Sequence, residues 1–501
     1  MFVFVVLRSL FHYAFYIIFF YWLTLASYRL LLNPLRNYPG PFWAKITQVY
    51  TGYYSVRKRL HIEMYQYHAK YDRLVFNTAT ALKDIYQNDG VAKASTYLVT
   101  TRNNVFNGLT ALDNAVHSHK RRIIGQAVSD RALRAFEPAI HLAAQASSPV
   151  DMTELSRRLA IDVIGQLSFG YDLNMQTSDE NRFMMKALTF GNYRGNIYAH
   201  LPSLSKLYVD KIGDNLFYEA REKYFRLLYK MTTSRTNQEK DAKQDFYSFV
   251  ADSFKDTGRG GDLWIEAIFF VVAGGDSAAT AMASVFFYLS RYPECYDRLA
   301  SEIRGAFPSG EDIRTGPQLS GCVYLRACVD EAMRMSPPTP TTLWREQQVR
   351  DATEPLVVDG HVIPPGVLVG VNTYALHHNE AYFPEPFTYR PERWLVEEGS
   401  GEKKKTSLAH NPAFAPFSVG ARACAGKSLA YMEISLLTAK VLWYFDFKPA
   451  PGDLGKVGGG TAGRTDGRGR ENEFQLDDIF TSRTLGPHLV FSLRGDSWEE
   501  T

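Results

Sequence analysis

The chain has 501 residues, of which 46% are hydrophobic and 14% aromatic, with 56 Lys and Arg against 53 Asp and Glu. That is enough apolar mass for a large core and too much for an intrinsically disordered chain. The net charge of +3 provides no basic field for nucleic acid, and four cysteines without a CxxC pair argue against a disulfide scaffold, a zinc ribbon or a thioredoxin-type site and fit a reducing compartment.

The first predicted element is an apolar span, SLFHYAFYIIFFYWLTLAS at Ser9–Ser27. Its length matches the roughly 20 residues that cross a bilayer as a helix and exceeds the apolar core of a cleaved signal peptide, about 7–15 residues. Residues 1–28 therefore read as a membrane anchor. Arg29 and Arg36 after the span favour the bulk of the protein being cytoplasmic. The stretch NYPGPFWAKI, with Pro39 and Pro41 around Gly40, stops a helix and stiffens the exit, so residues 29–45 read as a proline-containing hinge. Residues 46–501 read as one large domain, mostly α with minor β.

Within that domain HAKYDRLVFNT passes from a helical pattern into a strand at Leu74–Thr78. Helical patterns dominate from Ala111 to Arg334. One runs from Asp262 to Arg291 before Pro293, and another from Ser320 to Met335 before Ser336-Pro337-Pro338. PLVVDGHVI, Pro355–Ile363, is a predicted hairpin because Asp359-Gly360 is a strong turn signal between apolar runs. HLVFSL, His488–Leu493, is a last strand. The Gly-rich GDLGKVGGGTAGRTDGRGRENE before it reads as a solvated loop.

Four stretches carry chemistry. In FFVVAGGDSAATAM, Gly274 and Gly275 sit mid-helix, where each costs about 1 kcal/mol relative to Ala. The reason is either a close helix crossing with an exposed Asp276, or a local distortion that admits a small ligand and lets Asp276 and Ser277 relay protons. In DEAMRM, Glu331 and Arg334 share a helix face at i,i+3, which is a surface pair unless a third charge such as Arg393 of FTYRPERW buries it. In FAPFSVGARACAGKSLAYMEI, Cys424 is flanked by Gly420, Ala421, Ala423, Ala425 and Gly426. A backbone that bare admits a large flat group to the sulfur, Arg422 can pair with an anionic substituent, and a helix starting near Gly426 favours a thiolate. A cysteine nucleophile is the competing reading, and it needs a base from elsewhere in the fold.

Phe417, Gly420, Arg422, Cys424 and Gly426 match FxxGxRxCxG, and the chain thereby resembles the cytochrome P450 superfamily of haem-thiolate mono-oxygenases. The other motifs occur in that family's order: AGGDSA resembles the oxygen-binding part of its central helix, and Glu331-x-x-Arg334 with Pro391-Glu392-Arg393-Trp394 resembles its Glu–Arg–Arg network. VNTYALHHNEAYFPEPFTYRPERWL and SDRALRAFEP resemble fungal secondary-metabolism members near the benzoate hydroxylases. The resemblance implies a cytochrome P450 fold with haem b as cofactor and Cys424 as axial thiolate. It implies Arg422 and Arg345 on the propionates, and His117 and Arg121 at the family's WxxxR positions, with His in place of Trp. Asp276 and Ser277 would be the acid–alcohol pair, with Ser where Thr is usual, so that the methyl that fixes the rotamer is lost.

It further implies electrons from NADPH through a separate NADPH–cytochrome P450 reductase, cytochrome b5 as a second donor, a lipophilic substrate and a single-pass location in the endoplasmic reticulum membrane. A haem-thiolate isomerase or dehydratase and a degenerate non-catalytic haem protein are the alternatives. By the same resemblance the substrate pocket draws on Tyr97–Leu109, Phe183–Tyr208, Val271–Thr280, Thr341–Leu343 and Thr481–Leu485. One departure stands out. The family has two strands between its first two helices, whereas the join at Tyr71 leaves room for one, which would expose an edge on LVFNT.

Overall fold

A computed structural model describes residues 2–33, 40–68, 75–100, 148–206, 218–239, 242, 247, 260–347, 355–395 and 411–494. The apolar N-terminal span forms a helix, Phe2–Leu31, that runs past the expected anchor boundary at residue 28. Its Arg8–Leu31 part is long and apolar enough to cross a membrane and packs no residue inside the protein. Pro41 then starts a short helix, Phe42–Ile46, followed by Val49–Val56 and Leu60–His68.

The core is built on one helix, Gly260–Leu289. Its Phe269–Leu289 part is as apolar as the anchor but largely buried, as a core helix is. Packed around it are Met152–Phe169, Val323–Met335 and Lys427–Tyr444. Asp151 caps the first of these by accepting from the backbone N–H of Thr153 and Glu154, and Gly170 closes it in the left-handed conformation. The largest buried cluster joins Met282, Phe286 and Phe287 to Leu299, Ile303, Val329, Met333 and Leu437.

The sheets are small. Val75–Phe76 pairs in parallel with Gly370–Val371, and Val91–Lys93 pairs antiparallel with Arg345–Gln347. The hairpin Leu356–Val358/His361–Ile363 turns at Asp359-Gly360, both at positive φ. His488–Leu493 lies between Phe445–Pro449 and Val150–Asp151, and a tight hairpin joins Asp477–Ile479 to Thr481–Arg483 through Phe480.

Two expectations change, and one open alternative is settled. Of the strand expected at Leu74–Thr78, Leu74 lies outside the described residues and Val75–Phe76 is the observed part, whose one neighbour among the described residues is Gly370–Val371. The join itself, with Tyr71, lies outside the described residues. The Gly-rich stretch is not merely solvated: Arg59 reaches the Asp466 carbonyl at 2.8 Å, and Arg468 reaches the Leu476 carbonyl at 2.9 Å. The double glycine does not distort the central helix, which is continuous. A Cβ at Gly274 would lie 2.8 Å from Ile164 Cδ1, and one at Gly275 would lie 3.0 Å from Ile161 Cγ1. Close crossing with Met152–Phe169 is the reason for both glycines.

Candidate functional site

Cys424 ends a tight loop. Its N–H donates to the Phe417 carbonyl at 2.8 Å and the Ala423 N–H to the Gly420 carbonyl at 3.0 Å. Ser418 and Gly420 both take positive φ. At Gly420 this is obligatory twice over, since φ is +75° and a Cβ would stand 2.0 Å from the Tyr86 carbonyl oxygen. The loop is therefore pressed against the end of the helix Ala79–Tyr86. The helix Lys427–Tyr444 begins just beyond, after Gly426. Phe417 packs on Tyr431 of that helix, ring centroids 5.1 Å apart. Cys424 is exposed while Cys295, Cys322 and Cys328 are buried. Burial pushes the Cys295 and Cys322 thiols up to about 11, which leaves them as inert apolar groups.

Arg345 is buried beside this loop. It stands 4.7 Å over the Tyr86 ring and donates to the Trp344 carbonyl at 3.0 Å. Directly opposite it in the antiparallel pair is Lys93, also buried. Burial, then Arg345 and Arg422, hold the Lys93 ammonium well below its usual range. Like charges paired across strands oppose each other, and three basic groups converging under low exposure favour an anionic ligand, which would restore the Lys93 charge. This donor set fits the carboxylates of a haem, and the exposed sulfur on a bare loop fits its iron. The sequence reading missed Lys93, whose only signal was its place opposite Arg345. His117 and Arg121 lie outside the described residues.

Glu331, Arg334 and Arg393 meet in the core. Arg334 Nε and Nη2 donate to the two Glu331 oxygens, each at 2.9 Å, and Arg393 Nε reaches Oε1 at 3.0 Å. The Arg390 N–H adds a bond to Oε1 at 3.1 Å and Trp394 Nε1 one to Oε2 at 2.9 Å. Glu331 and Arg334 have no exposed side-chain surface. Burial alone would raise the Glu331 carboxyl, but Arg334 and Arg393 outweigh it and hold it below its ordinary value. Burial lowers Arg393. Arg334 also donates to the His377 carbonyl at 2.8 Å, and Arg393 to that of Pro384 at 3.0 Å, so the network ties Val323–Met335 to the segment His377–Trp394.

Asp276 is buried, not exposed as a simple helix crossing would have it. Arg157 Nε donates to its Oδ1 at 3.1 Å and Asn192 Nδ2 to its Oδ2 at 3.1 Å. Neither partner carried a sequence signal, because both come from other helices. Ser277 Oγ donates to the Ala273 carbonyl one turn back. That bond holds the rotamer for which the missing methyl would otherwise be responsible. Among the described residues no hydrogen bond joins the Asp276 and Ser277 side chains.

Segments assigned to a substrate pocket also converge. The Trp344 N–H donates to Tyr97 Oη at 3.0 Å, and Tyr97 meets Phe480 edge to face. Thr280 Oγ1 lies 3.0 Å from the Ser482 carbonyl, and His200 Nε2 lies 3.3 Å from Thr341 Oγ1.

A family model described as Cytochrome P450 matches residues 47–456. Over 495 residues the chain is 36% identical to the cytochrome P450 monooxygenase AKT7 of Alternaria alternata, covering 93% of this chain and 94% of that protein. It is 33% identical over 500 residues to the cytochrome P450 monooxygenase poxM of Penicillium oxalicum, covering 94% and 92%. It is also 33% identical over 521 residues to the cytochrome P450 monooxygenase apf7 of Gibberella fujikuroi, covering 94% and 96%.

Proposed function

Because the chain belongs to the cytochrome P450 family and is an oxidoreductase of the mono-oxygenase type, we propose that it hydroxylates or otherwise oxidises a lipophilic terpenoid, polyketide or alkaloid in fungal secondary metabolism. The observation that carries this reading is the exposed Cys424 on a glycine-fixed loop at the head of Lys427–Tyr444, beside the basic side chains of Lys93, Arg345 and Arg422.

The family implies haem, and the donor set fits it. Cys424 would hold the iron, Phe417, Gly420 and Gly426 would shape the loop around it, and Arg422, Arg345 and Lys93 would hold the carboxylates, with His117 and Arg121 completing the set by resemblance. Bound there, haem supplies the O₂ activation that no side chain provides, tuned by its thiolate ligand. The chain's own part is positioning and proton handling. The Glu331–Arg334–Arg393 network fixes the two segments it joins. Asp276 presents a carboxylate inside the core and Ser277 a hydroxyl on the next residue, so both can hold and pass a proton. The apolar N-terminal helix supports a single-pass anchor in the endoplasmic reticulum, with NADPH–cytochrome P450 reductase as electron donor and cytochrome b5 as a second one. Asp276, buried on two donors, favours this reading over an isomerase that needs no protons from that helix.

The test is turnover in microsomes that hold the full chain and a reductase, with an extract of the source organism, NADPH and isotopically heavy O₂. A product carrying one labelled oxygen, formed only with NADPH, is expected. Conversion that proceeds without NADPH or O₂ would overturn the mono-oxygenase reading.

A further inference from the structure

Asp276 is tied to more than the helix beside it. Asn192 Nδ2, which donates to Asp276 Oδ2 at 3.1 Å, also donates to Thr481 Oγ1 at 2.9 Å. A primary amide carries two N–H bonds, so both contacts are made at once. Thr481 opens the second strand of the hairpin Asp477–Arg483, next to Phe480 at its tip. One turn along the central helix, Thr280 Oγ1 lies 3.0 Å from both the Asp276 and the Ser482 carbonyl. The acid and the hairpin are thus joined at two adjacent residues.

The other Asp276 oxygen belongs to Arg157, whose Nε and Nη2 lie 3.1 and 3.0 Å from Oδ1. Arg157 Nη2 is shared with the Met185 carbonyl and Thr189 Oγ1, each at 2.8 Å. A guanidinium prefers to take both oxygens of a carboxylate in a parallel fork. Here it has only one, because Asn192 holds the other and the two N–H bonds of Arg157 Nη2 go to Met185 and Thr189. Beside them lies a polar pocket between Thr153, Arg157, Asp276, Ser482, Arg483 and Thr484. Arg483, at the outer side of this pocket, is exposed.

We infer that Asn192 is a positioning residue that makes proton delivery by Asp276 depend on the place of the Asp477–Arg483 hairpin. Thr481 holds Asn192, and Asn192 keeps Oδ2 away from Arg157. When the hairpin tip shifts, or either bond is removed, Oδ2 loses its donor, and the carboxylate, held by Arg157 alone, turns out of the relay. A substrate that seats Phe480 and Thr481 thereby sets the acid that serves it. The inference rests on the reading of Asp276 as proton donor.

The stoichiometry provides the readout. Two electrons from NADPH, O₂, two protons and the substrate RH give ROH and water. With misplaced protons the same electrons, O₂ and two protons give hydrogen peroxide, and RH is unchanged. Microsomes that hold the full chain and a reductase are assayed with 7-ethoxycoumarin as the lipophilic probe, for peroxide per NADPH and for the solvent deuterium effect on NADPH use. Both are normalised to thiolate-type carbon monoxide binding. Asn192→Ala and Thr481→Val are expected to raise the peroxide share severalfold and enlarge the solvent isotope effect, with Thr481→Ser restoring wild-type values. Asp276→Asn separates the two readings. If Asp276→Asn leaves the peroxide share unchanged, the proton-donor reading fails. If Asp276→Asn raises it while Thr481→Val does not, the coupling through Asn192 is wrong and Asp276 stands alone. Thr481→Val is near-isosteric, so the test survives even if Asn192→Ala folds poorly.

Discussion

Two glycines flank Cys424 in sequence, and the structure gives them different duties. Gly420 is required by the fold, with φ at +75° and the Tyr86 carbonyl where a side chain would go. Gly426 has ordinary helical-side φ, and a Cβ there would meet only Cys424 Sγ at 3.9 Å. Gly420→Ala is therefore expected to yield little folded protein. Gly426→Ala should melt within about 0.5 kcal/mol of wild type and show any defect in haem content instead. Thermal melting with haem titration checks both. Glu331 invites a second substitution. Truncating it leaves Arg334 and Arg393 buried without their partner, at a cost of roughly 3–5 kcal/mol, so Glu331→Ala should accumulate little haem-loaded protein. Its carboxyl sits below the ordinary value of about 4.3 because of the two arginines. That stabilisation is complete above the ordinary value and is lost as pH falls through the lower, native one. Glu331→Gln should accordingly show a shallower acid limb in denaturation measured against pH.

At the scale of elements, the buried Asp478 holds the first strand of the hairpin Asp477–Arg483. Asp478 Oδ1 accepts from the Phe480 N–H and Asn196 Nδ2, each at 3.3 Å, and Oδ2 lies 3.8 Å from His61 Nδ1. This is not an ion pair. Burial keeps His61 neutral and pushes the Asp478 carboxyl up to about 7. A raised carboxyl favours the protonated fold, so its contribution is full below the ordinary value of about 3.9 and is lost as pH rises to about 7. Asp478→Asn should remove that decline, and a stability profile across this range reads it out. On the central helix, Gly274→Ala would set a methyl 2.8 Å from Ile164 Cδ1; the overpacking of about 1–3 kcal/mol is offset by about 1 kcal/mol of helix propensity, so a net loss of at most about 2 kcal/mol is expected, with melting as the check.

The long elements were legible in sequence because period and punctuation agree. The central helix is read as Asp262–Arg291 and observed as Gly260–Leu289, and the Asp359-Gly360 turn falls where its residues require. What was not legible is what other elements contribute: Arg157 and Asn192 on Asp276, and Lys93 opposite Arg345. For the double glycine the sequence left close crossing and local distortion open, and the choice rested on Ile161 and Ile164 of a different helix. Glu331 and Arg393 were identified by resemblance to a family, not by their spacing, and only packing shows that they share one carboxylate.

For the whole molecule, the anchor and the body make separate demands. Arg8–Leu31 carries its apolar side chains outward, and beyond it Phe42, Trp43, Val49, Tyr53 and Val56 are also about half exposed or more. A chain starting at Gly40 should therefore lose alkali-resistant membrane attachment yet keep weaker, extractable binding through that apolar surface. Fractionation of membranes before and after an alkaline wash distinguishes the two. The central claim is that Cys424, presented by a loop that only glycine permits at residue 420, binds haem iron as a thiolate. It is tested most directly by the reduced carbon monoxide difference spectrum of the purified full chain and of Cys424→His. The wild type should give the thiolate-type band and Cys424→His should lose it while its haem remains measurable. A thiolate-type band that persists in Cys424→His would contradict the account.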